Sequence, residues 1–298
     1  MLLGSIRQKG RFLIYLFRYS IGCPFLVPME CLRIYPSMEP LRVTLVQQAL
    51  HWEDRDANLR QFSPLLAPLA GTTDLIVLPE MFTTGFTMAP EGLAEEMDGP
   101  SIAWMREHAA LIGAALTGSL IIREEGHYYN RLVWMYPNGD MHWYDKRHLF
   151  TLAGEHQHYR GGDKRLIAHW KGWRICPLVC YDLRFPVWSR NDHAYDLLVY
   201  VANFPARRSY AWNQLLIARA IENQVYTLGV NRVGEDGNGH HYSGDSAVID
   251  YEGQVIARFS HGNTVFTTLL QPDLQIEFQK KFHFLADQDK FSLETGGN

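Results

Sequence analysis

Regular alternation of apolar and polar positions begins at residue 41, where "LRVTLVQ" reads as a strand. Leu59, Phe62, Leu66 and Leu69 then recur at helical spacing, and Pro64 and Pro68 predict that this helix is irregular. "DLIVLPE" is a continuous apolar run, as expected of a strand covered on both faces, and it ends at Glu80. Ser101 is a candidate cap for a helix carrying Ile102, Met105, Leu111 and Ile112, and "AALTGSLII" predicts the next strand. "YNRLVWMY" and "MHWYDK" flank Pro137-Asn138-Gly139-Asp140, whose Asn-Gly pair signals a hairpin. A polar loop is expected over residues 147–163, and "LIAHW" and "WRICPLVCY" form a second predicted hairpin around Lys171-Gly172. "DLLVYVANF" predicts a buried strand, followed by a helix over "YAWNQLLIARAIENQ" with Leu215, Ile217, Ala218 and Ile221 inward. "VYTLGVN", "SAVIDY", "QVIARF" and "TVFTTLL" supply the last strands, while "GEDGNGHHYSGD" reads as a turn-rich loop.

Strands outnumber helices, and hairpins are mixed with buried apolar strands. That pattern suits two sheets packed on each other with helices outside, a four-layer α/β arrangement, better than a single doubly wound sheet. Residues 39–298 read as one domain without an internal linker. Residues 1–38 differ: they carry Arg7, Lys9, Arg11, Arg18 and Arg33 against a single acid, Glu30. Their apolar patch "FLIYLF" is too short to span a bilayer, so this extension is expected to lie outside the fold without a membrane role. Met38, directly before "EPLRVTLVQ", is a candidate start.

Composition narrows the partners. Twenty-eight Lys and Arg against 32 Asp and Glu give a net charge of −4, which argues against a nucleic-acid partner. Four cysteines are too few for a disulfide scaffold, and Cys176 and Cys180 on one strand would stand ~13 Å apart, beyond bridging distance. A reduced, cytoplasmic protein is expected. His156 with His158, and His240 with His241, lack the matching Cys or carboxylate spacing of a metal site, and His148 reads as a hydrogen-bonded structural residue. No metal is assigned.

Three polar residues close apolar runs: Glu80, Lys146 at the end of "MHWYDK", and Cys180 at the end of "ICPLVC". Ligands gather at strand ends in layered α/β folds. Each residue has a plainer alternative: a turn cap, a solvated hairpin end, an inert core thiol. Together, a carboxylate, an amine and a thiol form a coherent set for acyl transfer, with base, cationic stabiliser and nucleophile present.

"VLPEMFTTGF", "YDKRHLF", "AGEHQHY" and "PLVCYDLRFPVWSRN" resemble the signature segments of the nitrilase superfamily of carbon–nitrogen hydrolases. "YVANFPARRSYAWNQLLIARAIENQ" and "NRVGEDGNGHHYSGDS" are similar to its bacterial omega-amidases. The resemblance covers about residues 41–275 and implies an αββα sandwich, no cofactor, a homodimer, and a Glu-Lys-Cys triad on Glu80, Lys146 and Cys180. It puts a second site glutamate at Glu155, expected to hold Lys146 in place. The implied substrates are short α-keto acid ω-amides, 2-oxoglutaramate and 2-oxosuccinamate.

Independently of the resemblance, a primary amide is a poor electrophile and needs a strong nucleophile and oxyanion donors. Lys146 and the backbone N–H of Tyr181, next after the nucleophile, are the expected donors. An anionic substrate needs a cationic pocket end, for which Arg184, Arg207 and Arg208 are candidates, with Phe204 and Tyr181 as apolar walls. The alternatives are a nitrile hydrolase, an N-carbamoyl amidohydrolase, or a thiol-sensing binding module without turnover.

Overall fold

A computed structural model of the chain describes residues 38–192 and 194–293. The expectation about residues 1–38 thus falls, Met38 apart, outside the described residues; Met38 itself packs against the core. The first half comprises β1 (Leu41–Gln47), α1 (Arg55–Leu66), β2 (Leu75–Val77), α2 (Pro100–Ile112), β3 (Ala115–Glu124), β4 (His127–Met135), β5 (Met141–Asp145) and a short α3 (Glu155–His158). There follow β6 (Ala168–Trp170), β7 (Trp173–Val179), α4 (Pro186–Ser189), β8 (Leu197–Ala202), α5 (Ser209–Asn223) and β9 (Tyr226–Asn231). The chain then runs through β10 (Val233–Glu235), β11 (His241–Ile249), β12 (Val255–Ser260), β13 (Thr264–Leu270) and α6 (Pro272–Lys281).

Within the described residues these strands make two mixed sheets. One runs β13-β1-β2-β3-β4-β5; the other runs β6-β7-β8-β9-β11, with β10 and β12 both paired to β11. Parallel pairs occupy the centre of each, and antiparallel pairs complete the edges. Side chains of the first sheet divide by parity. Val43, Leu45, Leu75, Val77, Leu132 and Trp134 face the second sheet, whereas Val46, Ile76, Leu116, Val133 and Met135 face α1 and α2 through Phe62, Leu66, Ile102 and Met105. Both faces of a strand such as β2 are therefore dry, which is why its sequence runs apolar without alternation. Helix α5 covers the far side of the second sheet with Trp212, Leu216 and Ala220. The result is a four-layer αββα sandwich.

Several sequence-based expectations need correction. Gly99, not Ser101, caps α2; Ser101 lies inside its first turn, where its N–H donates to Glu95 Oε2 at 2.8 Å. Leu111 is 66% exposed, and Ala109 takes the inward position instead. The inner face of α5 is Trp212, Leu216, Arg219, Ala220 and Asn223; Leu215, Ile217 and Ala218 are only partly buried, and Ile221 is 51% exposed. Apolar spacing misread this face because a polar residue belongs on it: Arg219 Nη2 donates to the carbonyl of Leu183 at 2.6 Å. The stretch 147–163 contains α3, and the turn-rich 234–245 segment is a hairpin of β10 and β11. Helix α6 had no sequence signal, because its buried residues are Pro272 and Gln275.

Candidate active site

Glu80, Lys146 and Cys180 each stand just beyond a strand rather than on it: β2 ends at Val77, β5 at Asp145 and β7 at Val179. Pro79 has no N–H to continue the ladder, and the chain turns at Met81, with φ +42° and its N–H donated to Ser119 Oγ at 2.8 Å. The turn carries the Glu80 carboxylate inward. Cys180 has φ +43°, a left-handed conformation that costs a non-glycine residue ~1–3 kcal/mol, between a strand and the 3-10 turn Cys180–Arg184. Such a bend thrusts a side chain out of the strand end. Asp182 braces it, accepting from Val179 N at 3.1 Å and Tyr144 Oη at 2.7 Å.

Four elements converge here. Lys146 Nζ donates to Glu80 Oε1 at 3.0 Å and to Glu155 Oε1 and Oε2 at 3.0 and 2.9 Å. All three residues are fully buried, and Cys180 is 9% exposed. Asn130 Nδ2 donates to Glu80 Oε1 at 2.8 Å and Glu155 Oε1 at 3.3 Å, while Asn203 N donates to Glu80 Oε2 at 2.7 Å. The Cys180 thiol lies close enough to the Glu80 carboxylate to feel its charge. Burial, then the Glu80 charge, pushes that thiol well above its ordinary range, so the resting sulfur is protonated. Burial opposes the Lys146 ammonium, but the Glu155 and Glu80 carboxylates more than offset it and hold it charged. Burial raises Glu155, and Lys146 pulls it partly back. The arrangement joins a neutral thiol, a carboxylate that can take its proton and a fixed cation beside both.

Tyr181 is the second residue of the 3-10 turn, where N–H groups have no acceptor within the turn itself. A cavity of about 670 Å³ opens onto Cys180 and Lys146, and Tyr181, Arg184, Phe204, Arg207 and Arg208 all line it. The Arg184 and Arg208 guanidiniums lie 5.6 and 5.8 Å from the centre of the Phe204 ring, and Arg208 also covers Phe150 at 4.7 Å. Among the described residues none of the three arginines has an ion-pair partner. Burial holds Arg208 below its usual range, against an upward pull from Cys180 and with help from the charges of Arg207 and Arg184. Glu53 and Asp236 also line the cavity but are engaged, by Thr87 Oγ1 and by Tyr242 Oη at 2.7 Å.

The sequence reading overlooked three participants. Asn203 closes the apolar run of β8 and was open to the strand-end logic applied to Glu80; Asn130 sits in mid-strand, and the Asp182 carboxylate acts by bracing the turn around Cys180, so neither had such a signal. His148 donates N–H to Asp182 Oδ1 at 3.0 Å and stacks on Phe185, which makes it structural. Among the described residues no group of His, Cys, Asp and Glu is arranged to hold a metal, and no helix is long and apolar enough to cross a membrane.

With this fold and site in view, comparison with known proteins defines the class. Residues 42–279 match the carbon-nitrogen hydrolase family, and the chain belongs to it; it is a hydrolase of amide carbon–nitrogen bonds. It is 50% identical over 259 residues to omega-amidase YafV of Escherichia coli (strain K12), covering 86% of this chain and 100% of that one. It is 34% identical to 2-oxoglutaramate amidase of Bacillus subtilis (strain 168), over 72% of this chain and 85% of that one. The crystal structure of XC1258 from Xanthomonas campestris, a CN-hydrolase superfamily protein with an arsenic adduct in its active site, superposes with a TM-score of 0.85. It is 47% identical and covers 86% of this chain and 100% of its own.

Proposed function

We propose that the chain is an omega-amidase that hydrolyses short α-keto acid ω-amides, 2-oxoglutaramate and 2-oxosuccinamate, to the keto acid and ammonia. The observation that carries this reading is the unpaired trio Arg184, Arg207 and Arg208 around the cavity that opens on Cys180. A substrate carboxylate gives those cations the partner they lack. The resemblance to the E. coli and B. subtilis enzymes supports the same class.

In the mechanism, Cys180 Sγ attacks the amide carbon as its proton passes to Glu80, and the carbonyl electron pair moves onto oxygen. Lys146 Nζ and the Tyr181 N–H stabilise that oxyanion. Collapse breaks the C–N bond; Glu80 gives its proton to the leaving nitrogen, and ammonia departs from a thioester. Glu80 then takes a proton from water as the hydroxide adds, and the second collapse returns the proton to sulfur. Because the resting thiol is neutral, attack depends on Glu80 as base rather than on a standing thiolate. Glu155 keeps Lys146 in register. Phe204 and Tyr181 wall the acyl chain.

The test compares a keto-acid ω-amide, its decarboxylated analogue and the matching nitrile, with ammonia as readout. The keto-acid amide is expected to be turned over at least ~10-fold faster than the other two; equal rates on both amides, or a faster nitrile, would overturn the reading. The same reading includes a cytoplasmic homodimer, checked by light scattering, and a domain that starts at residue 39 or just before. The contact of Trp173 Nε1 with the Glu39 carbonyl, at 2.7 Å, supports a truncation that keeps Met38. Such a chain is expected to retain full activity.

A further inference from the structure

Strand β11 breaks its register with β12 between Gly244 and Ser246. The residue in the break, Asp245, has φ +59°, a left-handed conformation that aspartate adopts at less cost than cysteine but that is still uncommon outside glycine. Strain of this kind persists only where surrounding contacts over-determine it, and here they are visible. The carboxylate is 7% exposed and accepts three hydroxyls: Ser209 Oγ at 2.6 Å and Ser243 Oγ at 2.5 Å on Oδ2, and Ser260 Oγ on Oδ1. Its carbonyl accepts Trp212 Nε1 at 2.8 Å. No cation shares the carboxylate in an ion pair among the described residues. A nearly buried charge held mainly by hydroxyls is an expensive way to tie a loop, and one of the three, Ser209, directly follows Arg208 of the cavity wall.

Ser209 is the first residue of α5 and follows Arg208 directly; the 3-10 turn Ala206–Arg208 precedes it. Trp212 packs on Phe204 with ring centres 5.3 Å apart, and Phe204 is the ring flanked by Arg184 and Arg208. Through its side chain Asp245 fixes the start of α5, and through its backbone it fixes the aromatic platform under the guanidiniums. We infer that Asp245 is a positioning residue for substrate selection, holding Arg208 and Phe204 where the substrate carboxylate docks. It does not touch substrate or the reacting atoms. The inference rests on the omega-amidase reading above and adds a residue to it that lies outside the cavity lining.

The experiment measures kcat and KM for 2-oxoglutaramate and for its decarboxylated amide in the full chain and in Asp245→Asn, Asp245→Gly and Ser209→Ala. Asp245→Gly removes the carboxylate while accepting the positive φ, and Ser209→Ala removes one hydroxyl only, so at least one variant folds even if Asp245→Asn does not. The ratio of kcat/KM for the charged over the uncharged amide is expected to fall about tenfold in the Asp245 variants and about threefold in Ser209→Ala. The change should reside in KM of the charged substrate. Added to Arg208→Ala, Asp245→Gly should lower the ratio no further, because both act on one docking interaction. Equal losses on both amides, or an unchanged ratio, would make Asp245 a structural residue and sink the inference while the wild-type preference stands. A wild type without preference for the charged amide would instead remove the omega-amidase reading, and the inference with it.

Discussion

The two ends of the cavity are built on opposite electrostatic principles. At the inner end, Lys146 sits between Glu80 and Glu155, all fully buried, every charge within 3.0 Å of its complement. At the outer end, Arg184, Arg207 and Arg208 have no ion-pair partner among the described residues, the cavity's carboxylates Glu53 and Asp236 being engaged by Thr87 and Tyr242. At the inner end one ammonium faces two carboxylates, and N–H donors of Asn130, Phe150 and Asn203 share the load on their oxygens, so that end is held together without ligand. The outer end is partly exposed, and on the reading proposed above a substrate carboxylate supplies its missing partner. The difference separates chemistry from selection: one end should fail in turnover when altered, the other in discrimination.

Replacing Cys180, the proposed nucleophile, tests the first half of that contrast most severely. Cys180→Ala is expected to lower ammonia release by at least ~10,000-fold while the melting temperature stays near the wild-type value, since little packing is lost. Lys146→Met should strike turnover and stability together. It leaves Glu80 and Glu155 facing each other without a cation, a loss of about 3–5 kcal/mol readable by urea denaturation. A stable, active Lys146→Met protein would break the contrast. Arg208→Ala is expected to lower the charged-to-uncharged kcat/KM ratio ~10–100-fold without loss of melting temperature, because that guanidinium is already disfavoured by burial.

The smallest effect concerns pH. Burial lifts Cys180 well above its ordinary range, and burial, against a smaller pull from Arg165, lifts Cys176 from 9.0 to about 12. Both folded values exceed the unfolded ones. Their contributions to stability are therefore complete below about pH 9 and are lost as pH rises toward the folded values. Cys180→Ala should show a shallower loss of stability above pH 9 than the wild type, measured as denaturation midpoint against pH.

What could be read from sequence follows from what each element buries. Strands covered on both faces, such as β7 and β8, announce themselves as apolar runs, and a polar residue closing such a run draws attention, as Glu80, Lys146 and Cys180 did. Inward residues that are polar stayed silent: Arg219 on α5, Gln275 on α6, Asn130 on β4. Their burial is stabilised by specific hydrogen bonds, and a hydrogen-bond partner distant in sequence leaves no periodicity. Asp245 is the same case in sharper form, since its partners Ser209 and Ser260 lie 36 and 15 positions away.

The pairing of β13 with β1 over seven residue pairs, from Leu41 opposite Leu270 to Gln47 opposite Thr264, has a consequence for biosynthesis. The first of the described strands can complete its hydrogen bonding only with a strand made nearly last. Throughout translation, a wait on the order of ten seconds or more, one edge of β1 stays open on the nascent chain. That edge carries Leu41, Val43 and Leu45, side chains destined for the core, and open apolar edges seek other strands. A ribosome stalled before residue 264 would hold an otherwise formed sheet with this seam unzipped, and such a chain should bind chaperones until Thr264–Leu270 emerges.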